Sequence, residues 1–155
     1  MFKSSAKIIY DPVIEGDPSS FKEHWIIAQC DPEIARYYRW LTKRHACLDW
    51  LIKPAWGAHI SIARGDAPLK PELWKKHQGQ WLEFEYGNEV WTNGRHFWLD
   101  VRCEKMYDLR EELGLSRKFR FAELHLTIGN LHPDVRQSTP PEGPVRSFPG
   151  FRAEV

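Results

Sequence analysis

Two short stretches hold the residue types best suited to chemistry, His59-Ile60-Ser61-Ile62 and His125-Leu126-Thr127-Ile128. Successive side chains of a β-strand point to opposite faces, so His59 and Ser61 share one face while Ile60 and Ile62 share the other. The same alternation sets His125 beside Thr127, above Leu126 and Ile128. Each stretch therefore presents one imidazole and one hydroxyl over an apolar underside. Cleaving a phosphodiester needs a base for the attacking oxygen, an acid for the leaving oxygen, and donors for the phosphoryl oxygens. Two histidines and two hydroxyls supply all of these, because an unperturbed imidazole pKa of about 6.5 allows one ring to be neutral while the other is protonated. One such pair is common on an amphipathic strand; a second copy in a matched setting makes His59, Ser61, His125 and Thr127 candidate catalytic residues. The carboxylates are scattered without a metal-ligand pattern, so no metal and no cofactor is expected.

The elements that must position these strands can be read from local signals. Residues 1–20, with Asp11-Pro12 and Asp17-Pro18-Ser19-Ser20, read as an irregular lead-in. Lys22 to Gln29 reads as a strand. Asp31-Pro32-Glu33 is a helix start, and the apolar spacing of Ile34, Tyr37, Tyr38 and Leu41 carries that helix to about Arg44. The first histidine strand follows and stops at Gly65-Asp66. Pro71 to His77 suggests a short helix, and 81–86 and 89–92 suggest strands. Asn93-Gly94 suggests a type I′ hairpin turn into a strand from Arg95 to Cys103. A helix over 104–113 closes at Gly114, and the second histidine strand covers 123–130. From His132 onward five prolines argue for an extended tail. In both halves a helix thus precedes a strand reading His-apolar-Ser/Thr-Ile.

The paired motifs resemble those of the 2H phosphoesterase superfamily, which includes 2′-5′ RNA ligase-like proteins and cyclic nucleotide phosphodiesterases. The resemblance covers both motifs and the element order from about Phe21 to Leu131. It implies a single α+β domain, bilobal, with pseudo-twofold symmetry and a central catalytic cleft. It also implies that His59 and His125 are the acid–base pair and that Ser61 and Thr127 are phosphate donors. His24-Trp25-Ile26-Ile27-Ala28 and Pro54-Ala55-Trp56-Gly57-Ala58-His59 are similar, more narrowly, to bacteriophage 2H nucleases that cleave cyclic oligonucleotide signals of anti-phage defence, the anti-CBASS nucleases. The implied activity is a metal-independent phosphodiesterase acting on 3′-5′ linkages of small cyclic or short oligoribonucleotides. A 2′,3′-cyclic phosphodiesterase or RNA-end-processing enzyme, a non-catalytic nucleotide- or RNA-binding module, and a structural protein are the alternatives.

Five further residues are candidates for substrate contact. Trp91, beside the Asn93-Gly94 turn, is placed to stack on a base. Tyr10, in the lead-in, is placed either to close over a cleft or to join a satellite of the core. Trp56 has the opposite strand parity to His59 and is expected in the core, unless Gly57 redirects it. Arg64 shares the parity of Ile60 and Ile62, yet its position before Gly65 leaves a long side chain room to swing towards a phosphate. Glu154 would reach a base edge if the tail folds back. The remaining histidines, His96 among them, read as surface or helix-end residues.

Bulk properties bound these readings. A chain of 155 residues, 42% hydrophobic and 28% charged, fits one globular domain. A net charge of +1 argues against coating long nucleic acid, which depends on many phosphate contacts, but permits a locally positive pocket for a small anion. The N-terminus lacks the apolar run of a signal peptide, and no segment has the ~18 apolar residues of a membrane span, so a cytoplasmic location is expected, the host cytoplasm for a phage protein. Cys30, Cys47 and Cys103 are odd in number and widely spaced, and read as buried thiols. Oligomeric state is left open.

Overall fold

The computed structural model describes residues 1–119, 123–131 and the backbone of 146–147. The strands are β1 (Phe2–Tyr10), β2 (Trp25–Cys30), β3 (His59–Arg64), β4 (Trp81–Thr92), β5 (His96–Arg102), β6 (His125–Asn130) and β7 (Arg146–Ser147); the helices are α1 (Pro32–His45) and α2 (Glu104–Glu112). Six strands form an antiparallel sheet in the order β1-β2-β3-β6-β5-β4, and β1 also pairs with β4, so that the ladder returns to its starting strand. The two-residue β7 adds to β4.

This order reads the same from both ends. The first half runs β1-β2-α1-β3 and the second β4-β5-α2-β6, each a ββαβ unit whose last strand begins with a candidate histidine. The halves join where β3 meets β6, at Ile60 opposite Leu126. The helices cross over, α1 packing on β6 and α2 on β3.

One face of the sheet is apolar and carries the core. Ile60, Ile62, Leu126, Ile128 and Leu99 are fully buried there, together with Ala35 of α1 and Met106 of α2. Burying a side chain of this size stabilises by roughly 1.5–3 kcal/mol, so these two strands are among the most strongly held in the fold. α1 begins as its sequence dictates. Asp31 caps it by accepting from Glu33 N at 2.9 Å, Pro32 opens it, and Lys43, Arg44 and His45 lie in its last turn, where cations are favoured.

Several local expectations are corrected. Residues 2–10 are a nine-residue strand, not a lead-in. Its inward positions Ser4, Ala6, Ile8 and Tyr10 begin with two small residues, which hides the alternation. Pro71–Leu73 is a single 3₁₀ turn, too short to be a helix. The segments 81–86 and 89–92 are one strand, its pairing to β5 interrupted between Tyr86 and Val90. The β4–β5 loop is longer than a type I′ turn. Asn93 is not at positive φ, and its side-chain oxygen instead accepts from Arg95 N and His96 N, leaving Gly94 at φ +90. Cys30 and Cys103 are buried, but Cys47 is exposed just beyond α1. No described helix is long and apolar enough to cross a membrane.

Candidate functional site

β3 and β6 are antiparallel and in register at Ile60–Leu126. Extending that register by one residue sets His59 across from Thr127 and Ser61 across from His125, all four on the face opposite the core. Directly opposed residues lie ~5 Å apart and diagonal ones ~7–8 Å. The two imidazoles are on such a diagonal, a spacing that leaves room for one phosphoryl group between their ring nitrogens.

Both rings are held alike. His59 Nδ1 bonds the carbonyl of Gly57 at 2.8 Å, and His125 Nδ1 bonds the carbonyl of Glu123 at 2.7 Å. A carbonyl only accepts, so in each ring Nδ1 carries the hydrogen and Nε2 is left with a lone pair. The partner is in each case the residue two places upstream. The tautomer is therefore fixed by the backbone entering the strand.

A tryptophan packs against each ring. Trp56 meets His59 edge-on with centroids 5.8 Å apart, and Trp98 meets His125 at 6.2 Å. The core position expected for Trp56 is thus corrected: Gly57 adopts φ +69, a conformation that L side chains rarely adopt, and the turn it makes brings Trp56 onto His59 and Trp25, the latter at 5.2 Å. Its indole Nε1 is buried with no hydrogen-bond partner among the described residues. Trp98, which no local sequence pattern marks, faces Thr127 across the β5–β6 ladder. Trp91 pairs with Trp98, and the Asp100 carboxylate beside them has its pKa raised, chiefly by burial and then by Glu89, with the two indoles working against the shift. Trp91 therefore belongs to the same face, two strands from His125.

Arg64 reaches this face through the backbone, not by swinging. Along β2–β3 the pairing passes from Ile27–Ser61 to Ile26–Ala63, so Ile62 is an extra residue, a β-bulge. Beyond it the alternation is reset. Arg64 pairs with Trp25, on the His59 and Ser61 side, and its guanidinium lies 5.8 Å from the Trp25 ring centre. β6 repeats the device. Its pairing with β5 passes from Trp98–Thr127 to Phe97–Gly129, skipping Ile128, and Asn130 then faces His96. The two strands thus match over six residues, His-Ile-Ser-Ile-Ala-Arg and His-Leu-Thr-Ile-Gly-Asn. Asn130 Oδ1 is buried without a partner among the described residues. His96, expected to be a surface residue, is half-buried on the site face beside Asn130.

Electrostatics ties these groups together. Burial pushes His59 down to about 4, with the Arg64 charge adding to the effect and the Gly57 hydrogen bond opposing it. His125 is likewise pushed to about 4 by burial, then by Arg64, His59 and His96, against the hydrogen bond to Glu123. His96 is lowered by burial and by Arg64 and Arg95. Three imidazoles and a guanidinium sharing one face disfavour further positive charge and welcome an anion.

Two candidates stand apart. Tyr10 lies on the core side of β1, 3% exposed and edge-on to Trp74 at 5.1 Å, so it does not border the histidines. Its place follows from β1 being a strand that pairs Tyr10 with core-facing Ile26. Glu154 lies outside the described residues. Among the described residues no three His, Cys, Asp or Glu side chains are grouped to hold a metal ion. Comparison of the chain with protein-family models, with curated proteins and with solved structures finds no match.

Proposed function

We propose that this chain is a phosphodiesterase of the two-histidine type that cleaves 3′-5′ linkages in small cyclic or short oligoribonucleotides. The observation that carries the reading is the matched presentation of His59 and His125. Each donates Nδ1–H to the carbonyl two residues upstream, and each thereby offers Nε2 on the face that Ser61 and Thr127 share. A pure binding module has no need of two rings with the same fixed tautomer. Proton transfer between two oxygens of one phosphate does need them. The paired H-x-[S/T]-x motifs and their likeness to the 2H phosphoesterases, including the phage nucleases of cyclic oligonucleotides, point to the same class.

In the reaction, one neutral imidazole takes the proton of the ribose 2′-hydroxyl as that oxygen attacks phosphorus. The other, protonated, gives its proton to the departing 5′-oxygen. Ser61 and Thr127 donate to the phosphoryl oxygens, and Arg64 offsets their charge. The product is a 2′,3′-cyclic phosphate with a free 5′-hydroxyl. Trp56 and Trp98 stand on the two sides of the reacting pair, suited to the bases flanking the scissile bond.

The test is incubation with a panel of cyclic di- and trinucleotides and short oligoribonucleotides, read by chromatography, with 2′-deoxy linkages in parallel. Cleavage of ribose linkages alone, yielding cyclic phosphate, is the expected result. Comparable cutting of 2′-deoxy linkages would make water the nucleophile, as in a 2′,3′-cyclic phosphodiesterase. No turnover of any member would refute the reading.

A further inference from the structure

At each bulge in the histidine strands the carbonyl of the skipped residue accepts a hydrogen bond from an arginine of the opposite half of the chain. Arg39 of α1 donates through Nη1 to Ile128 O of β6 at 3.0 Å. Arg110 of α2 donates through Nη1 to Ile62 O of β3 at 2.8 Å. Ile128 and Ile62 are the residues that the two ladders skip. Both residues are fully buried, so each guanidinium bonds a carbonyl beside the core. The arrangement is reciprocal: the first half secures the His125 strand, and the second half secures the His59 strand.

We infer that Arg39 and Arg110 are positioning residues that fix the two bulges and, through them, the aim of the site. A bulge reorients the residues beyond it and bends its strand. Here it turns Arg64 and Asn130 onto the reacting face and sets the direction in which His59 and His125 approach each other. The β3–β6 ladder is paired at one position, Ile60–Leu126, so it does little to hold that approach. The crossed arginines supply the constraint the ladder lacks. Among the described residues Arg39 acts through one bond and is half-buried, whereas Arg110 is 3% exposed and also donates to Ser116 O at 2.7 Å and pairs with Asp66 at 3.3 Å. The two therefore differ in what can replace them. A lysine in place of Arg39 can still donate one hydrogen bond, but a lysine in place of Arg110 cannot reproduce its fork.

This assignment rests on the proposed activity for its catalytic consequence, but its structural content is read independently. The measurement is the imidazole Cε1–H resonances of His59 and His125 in the full chain, assigned with His59→Gln and His125→Gln, alongside kcat and KM. Arg39→Met should shift His125 and leave His59 in place; Arg110→Lys should do the reverse. Arg39→Lys should restore the His125 position, which also covers the case in which Arg39→Met fails to fold. Displacing a reacting group by about 1 Å can cost on the order of 10²-fold, so kcat should fall roughly 10- to 100-fold in Arg39→Met, with KM changed less. Equal shifts of both histidines, no shift of either, or Arg39→Lys behaving like Arg39→Met would overturn the inference. A wild-type chain without phosphodiesterase activity would refute the proposed function while leaving the crosswise resonance shifts to decide this one.

Discussion

Binding of a single phosphodiester should restore to the site the proton that the empty protein expels. In the free protein His59 and His125 both sit at about 4, so at neutral pH both are neutral and the site lacks an acid. A phosphoryl oxygen accepting from one ring would place a negative charge ~4 Å from the imidazolium. At an effective dielectric constant of about 20 that is worth roughly 4 kcal/mol, or about 3 pKa units at ~1.36 kcal/mol each. One ring of the pair is thereby lifted from about 4 to the neighbourhood of 7, while the second, facing the first proton, stays neutral. In the proposed reaction the substrate would thus create the acid–base pair that cleaves it. The assay is a pH titration of the two Cε1–H resonances, with and without a dinucleotide whose 2′-hydroxyl is methylated to block attack. One macroscopic pKa should rise by roughly 3 units on saturation. Kinetically, kcat/KM should climb as pH falls from 7 towards 5, whereas kcat should be nearly flat there, since the first reports free protein and the second the complex. Apo resonances titrating near 6.5, or a bound pair left at about 4, would refute the reasoning.

Other outcomes follow from the same geometry. Turnover should persist in EDTA, because the proton transfers fall to two imidazoles and the phosphoryl contacts to Ser61 and Thr127; loss in chelator with recovery on adding one divalent ion would count against this. His59→Ala and His125→Ala should each lower kcat at least ~10²-fold, the lower end for removing a general acid or base, and a near-normal rate in either would remove that residue from the mechanism. Since burial depresses both histidines, folding stability should be intact above pH 6.5 and decline as pH falls towards 4, with roughly 3 kcal/mol from His59 alone; a flat denaturation midpoint across that window would contradict the burial of the rings. Gly129→Ala should lower the melting temperature, with a loss of ~1–3 kcal/mol, because a Cβ there would lie 2.6 Å from Leu51 Cγ and 3.2 Å from Ile52 O; an unchanged melting curve would show that this segment yields freely.

What was legible in the sequence, and what was not, separates along one physical line. The capping signals of Asp31-Pro32-Glu33 and the period-2 pattern of the two motifs depend on near neighbours, and both elements form where expected. β1 reads as an irregular lead-in because Ser4 and Ala6, at its first inward positions, carry too little apolar contrast to announce a strand. Arg64 reads with the parity of Ile60 and Ile62 but lies on the other face, because an extra residue at Ile62 resets the alternation, and a bulge is visible only once the partner strand is known. Trp98 and His96 lie on β5, whose adjacency to β6 is a property of topology. His96 in particular looked like any polar residue at a strand end. The near-repeat of the motifs was visible, but its extension to six residues was hidden, because Ala63 with Gly129 and Arg64 with Asn130 match in place and not in type.

Those mismatched pairs are where the two halves part company, and they bear on how the proposed reaction would gain a direction. The histidines are alike in tautomer, in the place of the upstream carbonyl, in the tryptophan each carries and in a depressed pKa, although His59 is buried and His125 half-buried. These shared features do not mark either ring as the acid. Two positions beyond the fourth motif residue, however, the first half carries Arg64 against Trp25 and the second carries Asn130 against His96. One end of the site is thus a fixed cation on an aromatic face, and the other a neutral amide beside a titratable ring. A phosphodiester is itself asymmetric, with a 3′-oxygen on one side and a 5′-oxygen on the other. It can meet these unlike ends in two orientations, and the orientation it takes decides which imidazole lies at the attacking oxygen and which at the leaving one. In the proposed reaction, symmetry in the strands would supply two proton carriers, and the residues that break the symmetry would supply the order in which they act.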